Sequence, residues 1–129
     1  MIYVLYSPNC AVCKKVVRFF RNNQIEITKI IIGEDKIERS MLIDILSLCE
    51  DGFGTIISFK TESSKRLNIT SKTFLDLSTK ELLNLIQEDL NLIRRPLIYQ
   101  TKNNKPYRLQ IGYDSEEIEI FKRVVHEGC

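Results

Sequence analysis

Histidine is nearly absent from this chain: there is one, His126, against four cysteines. Mechanisms in which an imidazole activates a nucleophile or relays a proton therefore have almost nothing to draw on. Charge bias is lacking too, since 19 basic and 17 acidic side chains leave a formal net charge of +2. That is too little for the overall field to hold nucleic acid by counterion release, so DNA contact would need a local patch or a partner. The opening residues, Met1-Ile2-Tyr3-Val4-Leu5-Tyr6-Ser7-Pro8, have no basic n-region, and Ser7-Pro8 cuts their apolar run short. They fit neither a signal peptide nor a membrane span, and the expectation is a cytoplasmic protein without a membrane. Repeats, low-complexity runs and flexible linkers are also missing. A length of 129 residues suits one sizeable core and not two conventional domains, so a single domain over 1–129 is expected.

What is present organises itself by pattern. Residues 2–6 are continuously apolar and rich in β-formers, as in a central strand. From Cys10 to about Asn22, Val12, Val16, Val17, Phe19 and Phe20 recur at near-helical spacing opposite Lys14, Lys15, Arg18 and Arg21. A second strand is predicted over roughly Glu26 to Ile32, and a strand-helix-strand unit of this kind is parallel. Asp35-x-x-Glu38 resembles an N-capping arrangement before a helix carrying Met41, Leu42, Ile45, Leu46 and Cys49, which Glu50-Asp51-Gly52-Phe53-Gly54 ends. Thr55 to Ser78 reads as short helices and loops. Ser78-Thr79-Lys80-Glu81 is a capping box, followed by Leu82, Leu83, Leu85, Ile86 and Leu90 on an amphipathic helix. Leu97-Ile98-Tyr99, a polar turn at Lys102 to Lys105, and Tyr107-Arg108-Leu109-Gln110-Ile111 predict a β-hairpin. Asp114-x-x-Glu117 then caps a last helix with Ile118, Phe121, Val124 and Val125. The order β-α-β, helical region, β-β-α is the connectivity of a thioredoxin-like α/β fold with a mixed sheet: a thioredoxin-like part at about 1–33 and 79–129, and a helical insertion at about 34–78.

Four cysteines without a secretory signal argue against a disulfide framework and toward redox or metal chemistry. Cys10 and Cys13, three positions apart at a helix start, lie on one side of a single turn, a spacing that permits exchange between dithiol and disulfide. Cys10 also meets unpaired amides and the positive end of the helix dipole, which favour its thiolate. It is the expected attacking sulfur and Cys13 the resolving one, with modest help from Lys14 and Lys15. Two other readings stand beside this one: half of a zinc site, for which no second C-x-x-C exists, and an inert pair of small core residues. No metal or cofactor is expected. Cys49 reads as a buried structural cysteine, Cys129 as an exposed terminal thiol, and His126 as a surface residue near a helix end.

Arg94-Arg95-Pro96 precedes a strand where thioredoxin-like folds place a proline opposite the active cysteine, often with a cis peptide. One or both guanidinium groups would then form an anion site or a lock on oxidised sulfur; the alternative is a basic pair that caps the preceding helix.

Together, Ser7-Pro8-x-Cys10-x-x-Cys13-Lys14-Lys15, Glu50-Asp51-Gly52, Ile56-Ile57-Ser58, Leu92-Ile93-Arg94-Arg95-Pro96-Leu97-Ile98 and Arg108-Leu109-Gln110-Ile111-Gly112-Tyr113 resemble the Spx family of Gram-positive bacterial regulators, over essentially the whole chain. Those proteins are similar in fold to the glutaredoxin-dependent arsenate reductases and act as redox-sensitive transcription regulators that bind the C-terminal domain of the RNA polymerase α subunit. The resemblance implies that Cys10 and Cys13 are a disulfide switch, that Gly52 lies on the polymerase-binding surface, and that Arg94 senses the oxidised pair. It further implies contact with promoter DNA only within the polymerase complex, and names a protease adaptor as a candidate partner. Ser47 and Lys60 depart from the basic residue and the arginine that many members carry at those places, and lysine lacks the bidentate fork of arginine. The rival reading is an arsenate reductase or small thiol-disulfide oxidoreductase using Cys10, with Arg95 and Arg108 neutralising an oxyanion. Against it, Cys13 occupies the partner position and Lys60 or Arg66 the middle of the chain, where such an enzyme has an arginine.

Overall fold

A computed structural model describes residues 1–123, so Val124, Val125, His126 and Cys129 lie outside the described residues. The chain divides into two compact units: Met1–Ile31 with Arg95–Cys129, and Ile32–Arg94.

The first unit is a four-stranded mixed sheet with a helix, the thioredoxin-like arrangement that the element order implied. Strands β1 (Ile2–Tyr6) and β2 (Thr28–Ile31) pair in parallel on either side of helix α1 (Ala11–Asn22) in sequence. β3 (Leu97–Lys102) pairs antiparallel with β1, and β4 (Lys105–Ile111) antiparallel with β3, giving the order β2-β1-β3-β4. The hairpin turn is Asn103-Asn104, both residues at positive φ (54° and 62°). Asparagine tolerates that conformation, and two such residues in succession match the right-handed twist of the flanking strands. β2 is shorter than the predicted 26–32. Gln24 at φ 56° turns the chain after α1, and Ile25 and Ile27 pack on the core before pairing starts.

One core of this unit gathers Ile2 and Val4 of β1, Val16 and Phe20 of α1, Ile98 of β3, and Ile118 and Phe121. Phe20 is fully buried and meets Phe121 edge-on at 5.6 Å between centroids; such a side chain contributes about 2–3 kcal/mol by burial. The buried stripe of α1 is Cys13, Val16 and Phe20, at i, i+3 and i+7. Val12, which the spacing grouped with that face, is 42% exposed. The predicted last helix is a 3₁₀ turn, Glu117–Lys122, within the described residues. Its N-cap is Glu116, which makes no side-chain capping bond; Asp114 instead braces the approach to it, its Oδ1 accepting the N–H of Glu116 at 2.8 Å and of Glu117 at 2.9 Å. Ile118 and Phe121 are three apart, which puts both on one face of a three-residue turn.

The second unit is helical. It comprises α2 (Arg39–Ser47), α3 (Phe53–Ile56), α4 (Glu62–Arg66), a 3₁₀ turn at Thr73–Asp76, α5 (Thr79–Glu88) and a 3₁₀ turn at Leu90–Leu92. α5, which the sequence reading placed with the thioredoxin-like part, belongs to this unit. Its core includes Leu42 and Ile45 of α2, Ile56 and Ile57, and Leu82, Leu83 and Ile86 of α5. α2 begins at Arg39 with Glu38 in the cap position and no capping hydrogen bond from that side chain, so the Asp35-x-x-Glu38 arrangement is not realised as an N-cap. The predicted capping box is present, with Ser78 Oγ accepting the Glu81 N–H at 3.1 Å and Glu81 Oε1 accepting the Ser78 N–H at 3.3 Å. Ile57 bridges Ile93 in an antiparallel step. The Ser58 N–H donates to Leu92 at 2.8 Å and the Arg94 N–H to Ile56 at 2.7 Å, which fastens the two ends of the unit's second half.

Candidate functional site

The chain leaves β1 at Tyr6 and turns through Ser7-Pro8-Asn9-Cys10, closed by the Cys10 N–H donating to the Ser7 carbonyl at 3.1 Å. Proline suits the second position of such a turn. The turn delivers Cys10 in extended conformation (φ −92°, ψ 121°) to the N-cap of α1. There its Sγ accepts the Cys13 N–H at 3.3 Å. No acidic residue occupies the first turn of α1, so no carboxylate there opposes a negative charge on Cys10.

The two sulfurs are held in opposite states. Partial burial works against a charge on Cys10. The hydrogen bonds from the Cys13 thiol and from the N–H groups of Cys13 and Val12, together with the Arg95 charge, outweigh it and keep the Cys10 thiol below its ordinary range. Cys13 is completely buried. Burial, the hydrogen bond it gives to Cys10 and the charge there push it up to about 12. One sulfur is prepared to ionise and the other to stay protonated, a difference that suits the first to nucleophilic attack.

Arg95 is the cation of this site. It stands half-buried at the entrance to β3, its Nη1 donates to Ser7 Oγ at 2.8 Å, and its charge acts on both sulfurs. The Arg95–Pro96 peptide is cis, as the placement of Arg94-Arg95-Pro96 led us to expect. Arg94 belongs to the helical unit and its side chain is exposed.

Arg108, assigned to an oxyanion site in the enzyme reading, sits elsewhere. The register pairs Ile2 with Gln100 and Gln100 with Arg108, so Arg108 lies across from the start of β1, whereas Cys10 follows its end. Four residues of strand separate the two levels, roughly 13 Å at the usual rise. Arg108 donates to Gln100 Oε1 at 3.3 Å and to the Tyr107 hydroxyl at 2.9 Å, with its guanidinium 4.4 Å from that ring. The end of β4 that reaches the site is Gly112, whose N–H donates to the Pro96 carbonyl at 2.8 Å, followed by Tyr113, over whose ring stands Lys15 at 5.9 Å.

Ser7, Gly112 and Tyr113 stand in the motifs that carry the family resemblance, but the sequence assigns none of them a role at this site. Counting antiparallel partners outward from the Asn103-Asn104 turn would have placed residue 112 within one position of Pro96. The missing step is the irregularity between Gln100 and Thr101, which shifts the register by one residue.

Gly52 is the N-cap of α3 and not the end of α2, at φ 56° and ψ −131°. A side chain there would meet nothing within 4 Å, so backbone conformation and not space calls for glycine. Cys49 is half-buried and donates to the Ile45 carbonyl at 3.4 Å; burial raises its pKa despite a hydrogen bond with Thr55. Among the described residues no three His, Cys, Asp or Glu side chains converge in a way that could hold a metal ion, and no helix is long and apolar enough to cross a membrane.

Comparison with known proteins gives this geometry its setting. The model of the ArsC family matches residues 5–121. An uncharacterized protein of Ureaplasma parvum serovar 3 is 97% identical over 127 residues, covering 98% of this chain and 99% of that one. The global transcriptional regulator Spx of Streptococcus pneumoniae strain R6 is 34% identical over 121 residues, 94% of this chain and 85% of the regulator. Among solved structures, an ArsC-family related protein from Bacteroides fragilis superposes with a TM-score of 0.75 at 22% identity, over 93% of this chain and 96% of that one. This chain belongs to the ArsC family, as an Spx-like member with a thioredoxin-like fold.

Proposed function

We propose that the protein is a redox-sensing regulator of transcription that binds the C-terminal domain of the RNA polymerase α subunit and takes its input from a Cys10–Cys13 thiol/disulfide switch. The observation that carries the reading is the polarised pair at the start of α1. An ionisable Cys10 and a protonated, buried Cys13 belong to a chain that is 34% identical to a global transcriptional regulator over nearly all its length.

The switch follows from the electrostatics. The Cys10 thiolate attacks the oxidant and forms a covalent adduct, which removes the negative charge from its sulfur. That charge is one of the causes keeping Cys13 protonated, so its loss frees Cys13 to deprotonate and displace the oxidant. One S–S bond forms, and two electrons and two protons pass to the oxidant; with diamide the product is the hydrazine. Arg94, exposed beside the segment that carries Arg95, is the proposed sensor of the oxidised state. Gly52, which fixes the backbone ahead of α3, is the proposed contact with the polymerase. Promoter DNA is met only inside the polymerase complex, a protease adaptor is a further proposed partner, and the setting is the cytoplasm.

The second reading, an arsenate reductase or small thiol-disulfide oxidoreductase, draws support from the family and from Arg95 beside a low-pKa Cys10. It is weakened by Arg108 standing at the far end of the sheet. One experiment separates the two: capture of the purified polymerase α C-terminal domain by reduced and diamide-oxidised protein, run beside an arsenate-dependent turnover assay with glutathione and glutaredoxin. Binding that changes with oxidation, without turnover, is expected. Absence of binding in both states together with thiol-dependent turnover overturns the regulator.

A further inference from the structure

Ser7 touches every member of the thiol site. Its hydroxyl accepts from Arg95 Nη1 at 2.8 Å, its carbonyl accepts the Cys10 N–H at 3.1 Å, and its own N–H faces the Cys13 sulfur. Preceding Pro8, it is biased toward extended backbone, which orients its Cα–Cβ bond. Half-buried directly after β1, it opens the turn that leads to α1.

We propose that Ser7 is a positioning residue: its hydroxyl anchors the Arg95 guanidinium beside Cys10 and so makes that sulfur selective for anionic reaction partners, such as disulfides or oxidants that carry a carboxylate. A guanidinium on a flexible stem samples many positions, and a hydrogen bond to the Ser7 hydroxyl narrows them to those beside the sulfur. Near a thiolate, a located cation offsets the repulsion that an anionic reagent would otherwise meet. This inference rests on the reading that Cys10 is the attacking thiol, and it needs neither the polymerase nor a disulfide to be tested.

The probe is a pair of alkylating reagents of similar size and different charge, iodoacetate and iodoacetamide. With either, the Cys10 sulfur forms one S–C bond as the C–I bond breaks and iodide leaves. Rates at Cys10 and Cys49 are followed by peptide mass spectrometry in the full chain, Cys49 serving as internal reference. In the wild type the iodoacetate-to-iodoacetamide ratio should be higher at Cys10 than at Cys49. Ser7→Ala should lower the Cys10 ratio several-fold and move the pH midpoint of Cys10 alkylation upward, with the Cys49 ratio unchanged. Ser7→Thr, which keeps the hydroxyl, should behave as wild type. Arg95→Gln should reproduce the Ser7→Ala effect, and the double variant should add nothing to it. An unchanged ratio in Ser7→Ala, a fall in Ser7→Thr equal to that in Ser7→Ala, or additive effects in the double variant overturns the proposal. The diamide disulfide assay on the wild type reports separately on the switch itself.

Discussion

At the start of α5 Ser78 occupies the N-cap and its Oγ accepts the N–H of Glu81, three residues on, at 3.1 Å; at the start of α1 Cys10 occupies the N-cap and its Sγ accepts the N–H of Cys13, three residues on, at 3.3 Å. In both, that third residue reaches back to the cap: Glu81 through its carboxylate to the Ser78 N–H, and Cys13 through its thiol to the Cys10 sulfur. The two helix starts share one geometric plan. The hydroxyl of Ser78 does not ionise near neutrality, so its hydrogen bond goes into helix stability. A thiol ionises far more readily than a hydroxyl, and at Cys10 the same bond favours the charged form. A device that elsewhere in the chain fastens a helix would, in the proposed function, prepare a nucleophile.

Exchanging the two caps gives the largest expected effect. Cys10→Ser converts the start of α1 into a copy of that of α5. Formation of the internal disulfide after diamide should be lost completely in a thiol-labelling mass shift, while the urea midpoint corresponds to a stability within about 1 kcal/mol of wild type. A variant that fails to fold would break the comparison. So would a Cys13–Cys49 or Cys10–Cys129 linkage in the wild-type protein, by showing that another pair is used.

Next in size is the difference in thiol reactivity. Cys10 lies below the ordinary thiol range and Cys49 above it. At neutral pH iodoacetamide should therefore modify Cys10 faster than Cys49, since the thiolate is the reacting form and Cys10 is shifted toward it while Cys49 is shifted away. Equal rates would remove the case for a prepared nucleophile.

Cys13 supplies a test in the alkaline range. Its folded-state value of about 12 is above that of an exposed thiol near 9, so between these values the unfolded chain has given up a proton that the folded chain retains. The stabilisation is full below pH 9 and is lost as pH rises toward 12. The urea midpoint of reduced wild type should fall across this window more steeply than that of Cys13→Val. Parallel curves would contradict the burial of a protonated sulfur.

The smallest effect is on the other side of the comparison. Ser78→Ala should cost about 1 kcal/mol in urea unfolding and leave both the Cys10 alkylation profile and disulfide formation as they are.

What could be read from the residues and what could not divides along a physical line. The buried strand at residues 2–6, helix α1, the Ser78 capping box, the β-hairpin and the cysteine spacing were all legible, because each is written in a stretch of a few residues by periodicity or turn chemistry. The identity of the cation was not. Arg94 and Arg95 are adjacent and chemically identical, and composition cannot say which of them the fold turns toward Ser7. The location of Arg108 required a register that one irregular residue pair in β3 displaces. The extent of the helical unit was illegible for a related reason: α5 has a clear amphipathic pattern, but the pattern does not name the surface it packs on. Asp35 and Glu38 have the spacing of a cap, yet the first turn of α2 forms one residue after Glu38, because the same side chains serve turns as well as helix starts.

The place of Tyr113 has an optical consequence. The chain contains no tryptophan, so its native emission comes from five tyrosines and is weak. Position 113 is exposed, directly follows the glycine bonded to Pro96, and has an ammonium group above its ring. A lone indole placed there by Tyr113→Trp would be the chain's single bright fluorophore. Its intensity and emission wavelength would respond to the ammonium of Lys15 and to any rearrangement at the Gly112–Pro96 junction, so the proposed oxidation of the pair could be sought in real time without a label.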